Sequence, residues 1–147
     1  MPDATLVVRN TPQLTLAGAR AVLDAAERRA IEIKVPMDIA VVDDGGHLLA
    51  FIRMDGSKLG SIEVSVTKAH SAAVRRMPSG PARTGDQVNL LLSLGITLAS
   101  QNGQTPVRGG LPLVADGVCI GAIGVSSGTE DQDTDVAEAG VKALQNA

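Results

Sequence analysis

Residues 37–56 read MDIAVVDDGGHLLAFIRMDG. Two runs rich in β-branched and large apolar residues, IAVV (39–42) and LLAFI (48–52), flank Asp44-Gly45-Gly46. Glycine supplies the positive φ that a tight hairpin needs, so the stretch predicts two antiparallel strands joined by a short turn. The same pattern returns in LPLVADGVCIGAIGV (111–125), where Asp116-Gly117 joins two more apolar runs. Strands joined this closely must be antiparallel, because a parallel pair needs a long crossover.

Helical periodicity fills the intervals. Residues 14–33 (LTLAGARAVLDAAERRAIEI) place Ala19, Val22, Leu23, Ala26, Ala30 and Ile33 on one face, and Thr15 can cap the start. SIEVSVTKAHSAAVRR (61–76) predicts a second helix, ended by Met77-Pro78. PSGPARTGD (78–86) reads as a loop, and a third helical piece over about 86–94 carries Val88, Leu91 and Leu92. A final helix from Thr129 to the end has Ala137, Gly140, Val141 and Leu144 at i, i+3, i+4, i+7. The order is helix, hairpin, two helices, hairpin, helix, which predicts an α+β layer with helices packed on a central antiparallel sheet.

A length of 147 residues suits a single domain spanning 1–147. With 44% apolar and 20% charged residues, the composition is that of an ordinary globular chain. There is one Phe and no Trp or Tyr, so Val, Leu, Ile and Ala must build the core. The lack of aromatic stacking platforms and the net charge of −3 argue against a nucleic-acid partner. No run approaches the roughly 20 apolar residues of a membrane span, and MPDATLVVRN lacks the pattern of a signal peptide. The cytoplasm is the expected compartment. Cys119 is alone, which excludes an internal disulfide, and its neighbours Val118, Ile120 and Ala122 point to a structural thiol on a buried strand.

GVSSGTEDQDTD (124–135) carries three competing patterns. Gly124, Ser126 and Gly128 fit a nucleophile elbow, but that order requires a His after the Ser, and both His47 and His70 come before it. A calcium loop starting at Asp131 would need Gly at its sixth position and Glu at its twelfth. Val136 and Lys142 stand there. A helix start accommodates everything: Thr129 with Gln132 makes a capping box, and Glu130, Asp131 and Asp133 complement the helix dipole. The Gly-lined turn before it can still present backbone N–H groups to an anion.

The blocks VVDDGGHLLAFIRMDG (41–56), TKAHSA (67–72), GGLPLVADGVCIGAIGVSSG (109–128) and EDQDTDVAEAG after them resemble the GlcG/HbpS family, which includes the C-terminal domain of PduO-type proteins. The resemblance covers almost the whole chain. It implies a profilin-like fold with a five-stranded antiparallel sheet flanked by helices. It also implies a homo-oligomer built from dimers, up to an octamer. Some members bind haem and act in haem sensing or degradation, whereas relatives are assigned lyase-type activity on hydroxylamino-aromatic acids. Where members ligate haem through a His on the first helix, this chain has none between residues 14 and 33, which leaves His47, His70, Cys119 and the methionines as donors.

His70 lies mid-helix near Lys68, Arg75 and Arg76, a setting for a general acid/base or a ligand. Lys68 belongs to the resembling K-A-x-[ST]-A block and is the candidate to contact an anion. Arg53, Arg83 in the loop and Arg108 before Gly109-Gly110 can each pair bidentately with a carboxylate. Gly109, Gly110 and the turn Ser126, Ser127 and Gly128 complete the expected pocket, placed at a subunit interface. Two histidines 23 residues apart do not make a zinc site, and no metal is expected. The resulting expectation is a homo-oligomeric binder of a planar anionic compound, haem or an aromatic acid. The alternative is a cofactor-free lyase or isomerase acting on a small aromatic or hydroxy acid, with His70 as acid/base and Lys68 or Arg108 as anchor.

Overall fold

A computed structural model describes residues 6–147. Its elements are α1 (Leu16–Glu32), β1 (Asp38–Asp43), β2 (Leu48–Arg53), α2 (Ser61–Arg75), β3 (Arg83–Thr84), β4 (Gln87–Val88), α3 (Leu90–Ala99), β5 (Gly110–Ala115), β6 (Val118–Ser126) and α4 (Glu130–Gln145). The main sheet has the order β2-β1-β6-β5, all antiparallel, and β3-β4 form a separate ribbon. The five strands implied by the resemblance are thus four in one sheet, plus two in the ribbon, among the described residues.

β1 is the spine of the molecule because both its faces are buried. Ile39 and Val41 point into the larger core with Val22, Leu23 and Ala26 of α1 and Val136 and Ala137 of α4. Ala40 and Val42 point the other way, against Ala69, Ala72 and Ala73 of α2. This is the period-2 alternation of a strand covered on both sides. The α2 layer is made of small side chains, and that lets the helix come very close to the sheet. A Cβ on Gly124 would collide with the Ser65 carbonyl, and one on Gly110 with the Lys68 carbonyl.

The turns form as their residues require. Asp43 Oδ1 accepts from the backbone N–H of Gly45 (3.0 Å) and of His47 (2.8 Å), while Gly46 takes φ +83°. Asp116 and Gly117 both have positive φ (51° and 75°), the signature of a two-residue I′ turn. Thr15 caps α1, and Thr129 with Gln132 forms a complete capping box on α4.

The segment 78–99 departs from expectation. Residues 83–88 form the β3-β4 ribbon around Gly85, and the third helix starts only at Leu90 and runs to Ala99. Asn89 decides this, since its side chain accepts from Leu92 N (2.8 Å) and caps the helix at that point. No helix among the described residues is long and apolar enough to cross a membrane.

Candidate functional site

One end of the sheet gathers a polar row. Asp38 opens β1, paired with Arg53 of β2 on one side and Ser126 of β6 on the other. Residues opposite one another in an antiparallel pair project to the same face. The Asp38 carboxyl is fully buried. Ser57 Oγ donates to its Oδ1 (2.9 Å), but its Oδ2 has no hydrogen-bond partner among the described residues. Burial pushes this carboxyl above the ordinary carboxylate range, and the Ser57 hydroxyl and the charge of Arg53 offset only part of that push. Next to it, Ser127 sits at φ +106°, which is strained for a residue with a side chain, and its Oγ accepts from Lys58 N (3.0 Å). Arg53, Ser126 and Ser127 are therefore neighbours here, and the residue that joins them is Asp38.

Lys68 has an internal partner. It is 1% exposed, and its Nζ donates to Asp133 Oδ2 and to the Val125 carbonyl, both at 2.8 Å. Asp133 Oδ1 in turn accepts from Gly128 N (2.9 Å). The pair ties α2 to β6 and α4, and Gly109 and Gly110 are buried against the same lysine. The Lys68 ammonium is thus committed inside the fold, and the glycines act as close-packing positions beside it. Arg108 is also engaged, although at the surface: its guanidinium bridges Glu130 (3.1 Å) and Asp131 (2.7 Å). These hydrogen bonds, to Asp131 first and then Glu130, raise its pKa further above the ordinary value.

His70 lies near the opposite end of the sheet, half-buried, with Nδ1 3.2 Å from the Gly46 carbonyl. A carbonyl only accepts, so Nδ1 donates in this contact and Nε2 is the ring nitrogen left without a partner among the described residues. Gly46 must be glycine here, because a Cβ would strike the imidazole. Nε2 faces Gly103, and there a Cβ would stand 3.5 Å away. The chain neighbours of Gly103, Asn102 and Gln104, help line a groove of about 240 Å³ together with Val64 and Thr67 of α2, Thr97 of α3 and Thr105, whereas His70 is not part of that lining. Glu63 stands at its edge. Arg75 lines a separate small cavity with Gly80, Ser93 and Ile96 that shares Thr97, Gln104 and Thr105 with the groove, and its guanidinium donates to the Gly80 carbonyl (3.4 Å). His47 is exposed beside the first hairpin turn.

Another cleft, of about 340 Å³, opens at the hairpin tips between Pro12, Asp44, Arg76, Gly117 and Cys119. The Cys119 thiol donates to the Gly121 carbonyl (3.3 Å). Among the described residues no three His, Cys, Asp or Glu side chains converge as metal ligands.

The fold and these blocks match a described family over residues 14–142, that of the haem degrading protein HbpS-like proteins. The chain belongs to the HbpS-like family. It is 40% identical over 126 residues to a 15.0 kDa protein of the dhaT–dhaS intergenic region of Citrobacter freundii, covering 85% of this chain and 87% of that one. The crystal structure of the Klebsiella pneumoniae protein ORFY superposes with a TM-score of 0.84 at 31% identity, covering 97% of this chain and 99% of that one. The PduOC:heme complex, at 26% identity, superposes with a TM-score of 0.79 over 90% of this chain and 95% of that one.

Two residues of this arrangement, Asp133 and Asp38, are missed by the sequence reading. Asp133 looks like one more acidic residue in a helix's first turn, and nothing local announces that it faces Lys68 across 65 residues. Asp38 does carry a signal, an acidic residue inside an otherwise apolar run.

Proposed function

We propose that this protein is a homo-oligomeric small-molecule-binding protein on a profilin-like scaffold, with a planar anionic ligand, haem or an aromatic acid. The observation that carries the reading is His70. Its Nδ1 is held by the Gly46 carbonyl, so the Nε2 edge is turned to Gly103, whose chain neighbours Asn102 and Gln104 line the α2–α3 groove. A haem-complexed relative with the same fold supports the haem branch. The residues of one chain fit such a ligand in part. His70 can offer an axial nitrogen on the side of Gly103. The groove, at about 240 Å³, is smaller than the roughly 300–1,000 Å³ of sites that enclose a drug-sized ligand, so a second subunit has to supply the rest.

A haemin titration followed in the Soret band tests this. The expected result is a shifted band in the wild type and in His47→Ala that is lost in His70→Ala. No shift in the wild type refutes the haem branch, and an unchanged shift in His70→Ala refutes the ligand.

Asp38 favours a second reading, a lyase or isomerase acting on a small aromatic acid. A buried carboxyl with a raised pKa, beside Arg53 and a strained Ser127, has the character of a general acid. Turnover of a hydroxylaminobenzoate that survives unchanged in Asp38→Asn removes that role.

A further inference from the structure

The Asp38 carboxyl points at a strap. Residues 54–60 (MDGSKLG) lead from the end of β2 to the start of α2, and two hydrogen bonds pin them to β1 and to the turn after β6. Ser57 Oγ donates to Asp38 Oδ1 (2.9 Å), and Lys58 N donates to Ser127 Oγ (3.0 Å). Asp55, Gly56, Lys58, Leu59 and Gly60 are exposed, and a Cβ on Gly60 would meet nothing within 4 Å. A segment with so few buried contacts belongs to the low-stability end of a fold. Beneath it, Asp38 Oδ2 is buried and unpaired among the described residues. Buried polar atoms are nearly always paired, so this one points to a partner from outside the chain. Ser127 adds strain at φ +106°, braced by Lys58 N on its hydroxyl and by Gly128 N on Asp133.

We propose that Asp38 and Arg53 form a small-molecule subsite under this strap, that residues 54–60 are its lid, and that its ligand is a small carboxylate with an oxygen on the carbon next to the carboxyl. The inference rests on the reading of Asp38 as a general acid and adds the lid, the anchor and the ligand class. Arg53 selects the charge. It is exposed, makes no ion pair among the described residues, and can take a carboxylate in a bidentate pair. Asp38 selects the neighbouring group. Burial favours its neutral form, whose single O–H can be given to a ketone or hydroxyl oxygen. Arg53 and Asp38 are directly opposed across β2 and β1, about 5 Å apart on one face, so both can act on adjoining atoms of one ligand. The Ser57 side chain is what leaves Asp38 when the strap lifts, and the space it vacates suits a few heavy atoms rather than a macrocycle.

Isothermal titration calorimetry of the full chain with pyruvate, lactate and propionate tests the subsite. Pyruvate carries a ketone oxygen beside the carboxyl, lactate a hydroxyl, and propionate neither. The expected result is that pyruvate, lactate or both bind about tenfold more tightly than propionate, as one added hydrogen bond to a buried partner allows. Exposed Arg53, replaced in Arg53→Gln, should weaken every acid that binds by about tenfold, and Asp38→Ala should bring the ratio to propionate down to one. Binding of none of the three, equal binding of all three, or a ratio unchanged in Asp38→Ala overturns the subsite. The lid is tested without ligand, by hydrogen exchange at the Lys58 amide followed by nuclear magnetic resonance. Ser57→Ala removes the other pin and should quicken that exchange several-fold, whereas an unchanged rate overturns the lid. None of these readouts involves turnover. A protein that discriminates pyruvate from propionate yet leaves hydroxylaminobenzoate untouched loses the acid role above and keeps the subsite.

Discussion

Replacing Lys68 by methionine should destabilise the protein far more than its place in a helix suggests. The substitution keeps most of the volume but leaves the Asp133 carboxylate buried, with Gly128 N as its remaining donor, and strips the Val125 carbonyl of its partner. Breaking one side of a buried ion pair costs about 3–5 kcal/mol. For a chain of this size about 4 kcal/mol corresponds to a fall in Tm of roughly 8–16 °C. Asp133→Leu should cost a similar amount, because it leaves the ammonium unpaired. The double variant Lys68→Met/Asp133→Leu removes both charges together. Its remaining cost is the orphaned Gly128 N–H and Val125 carbonyl, about 2–3 kcal/mol rather than the roughly 8 kcal/mol of two independent losses. With no Trp or Tyr in the chain, the assay is urea unfolding followed by far-ultraviolet circular dichroism at fixed protein concentration. Single losses below about 1 kcal/mol, or strictly additive losses in the double variant, refute the buried-pair account. A Lys68→Met protein of wild-type stability that has lost its ligand would return the lysine to ligand contact.

Three further outcomes follow from the same geometry. Because the folded pKa of Asp38 is raised, its favourable contribution is complete below the ordinary carboxylate pKa and is lost as pH rises through the folded value. Asp38→Asn should therefore exceed the wild type in stability at pH 7 by roughly 1–3 kcal/mol, with the gap closing in acid; a gap that does not depend on pH refutes the burial account. Gly124→Ala should drive a methyl into the Ser65 carbonyl and the Ala69 amide, costing about 3 kcal/mol or more in urea unfolding, and a neutral result would show that α2 can lift off the sheet freely. Arg108→Gln breaks two exposed ion pairs and should change stability by less than about 1 kcal/mol, less still at high salt, so a large loss in thermal melts would mean that the Arg108 cluster is not merely a surface contact.

Much of the fold is legible in short stretches because its signals are local. Thr15, Asp43, Asp116-Gly117 and the Thr129–Gln132 box each act on backbone groups within a few residues, so their identity alone decides a cap or a turn. The alternation of Ile39 and Val41 with Ala40 and Val42 likewise declares a strand buried on both faces. The start of α3 was legible too, in Asn89, but Val88 and the leucines after it invite an earlier helix.

The candidate site is another matter. Whether Lys68 meets a ligand or a carboxylate depends on Asp133 in another helix, and whether His70 has a free Nε2 depends on the Gly46 carbonyl of a distant turn. The leucines of α3 have the composition of a core, yet Ser93 is the residue that faces inward. By itself the sequence determined α1, α2, α4, the caps of α1 and α4 and the two antiparallel hairpins of the main sheet, since those forces act within a turn or two of chain. Tertiary structure alone decided which charges are buried, which histidine nitrogen is free and which apolar face is left open, because these depend on residues brought together from far apart in the sequence.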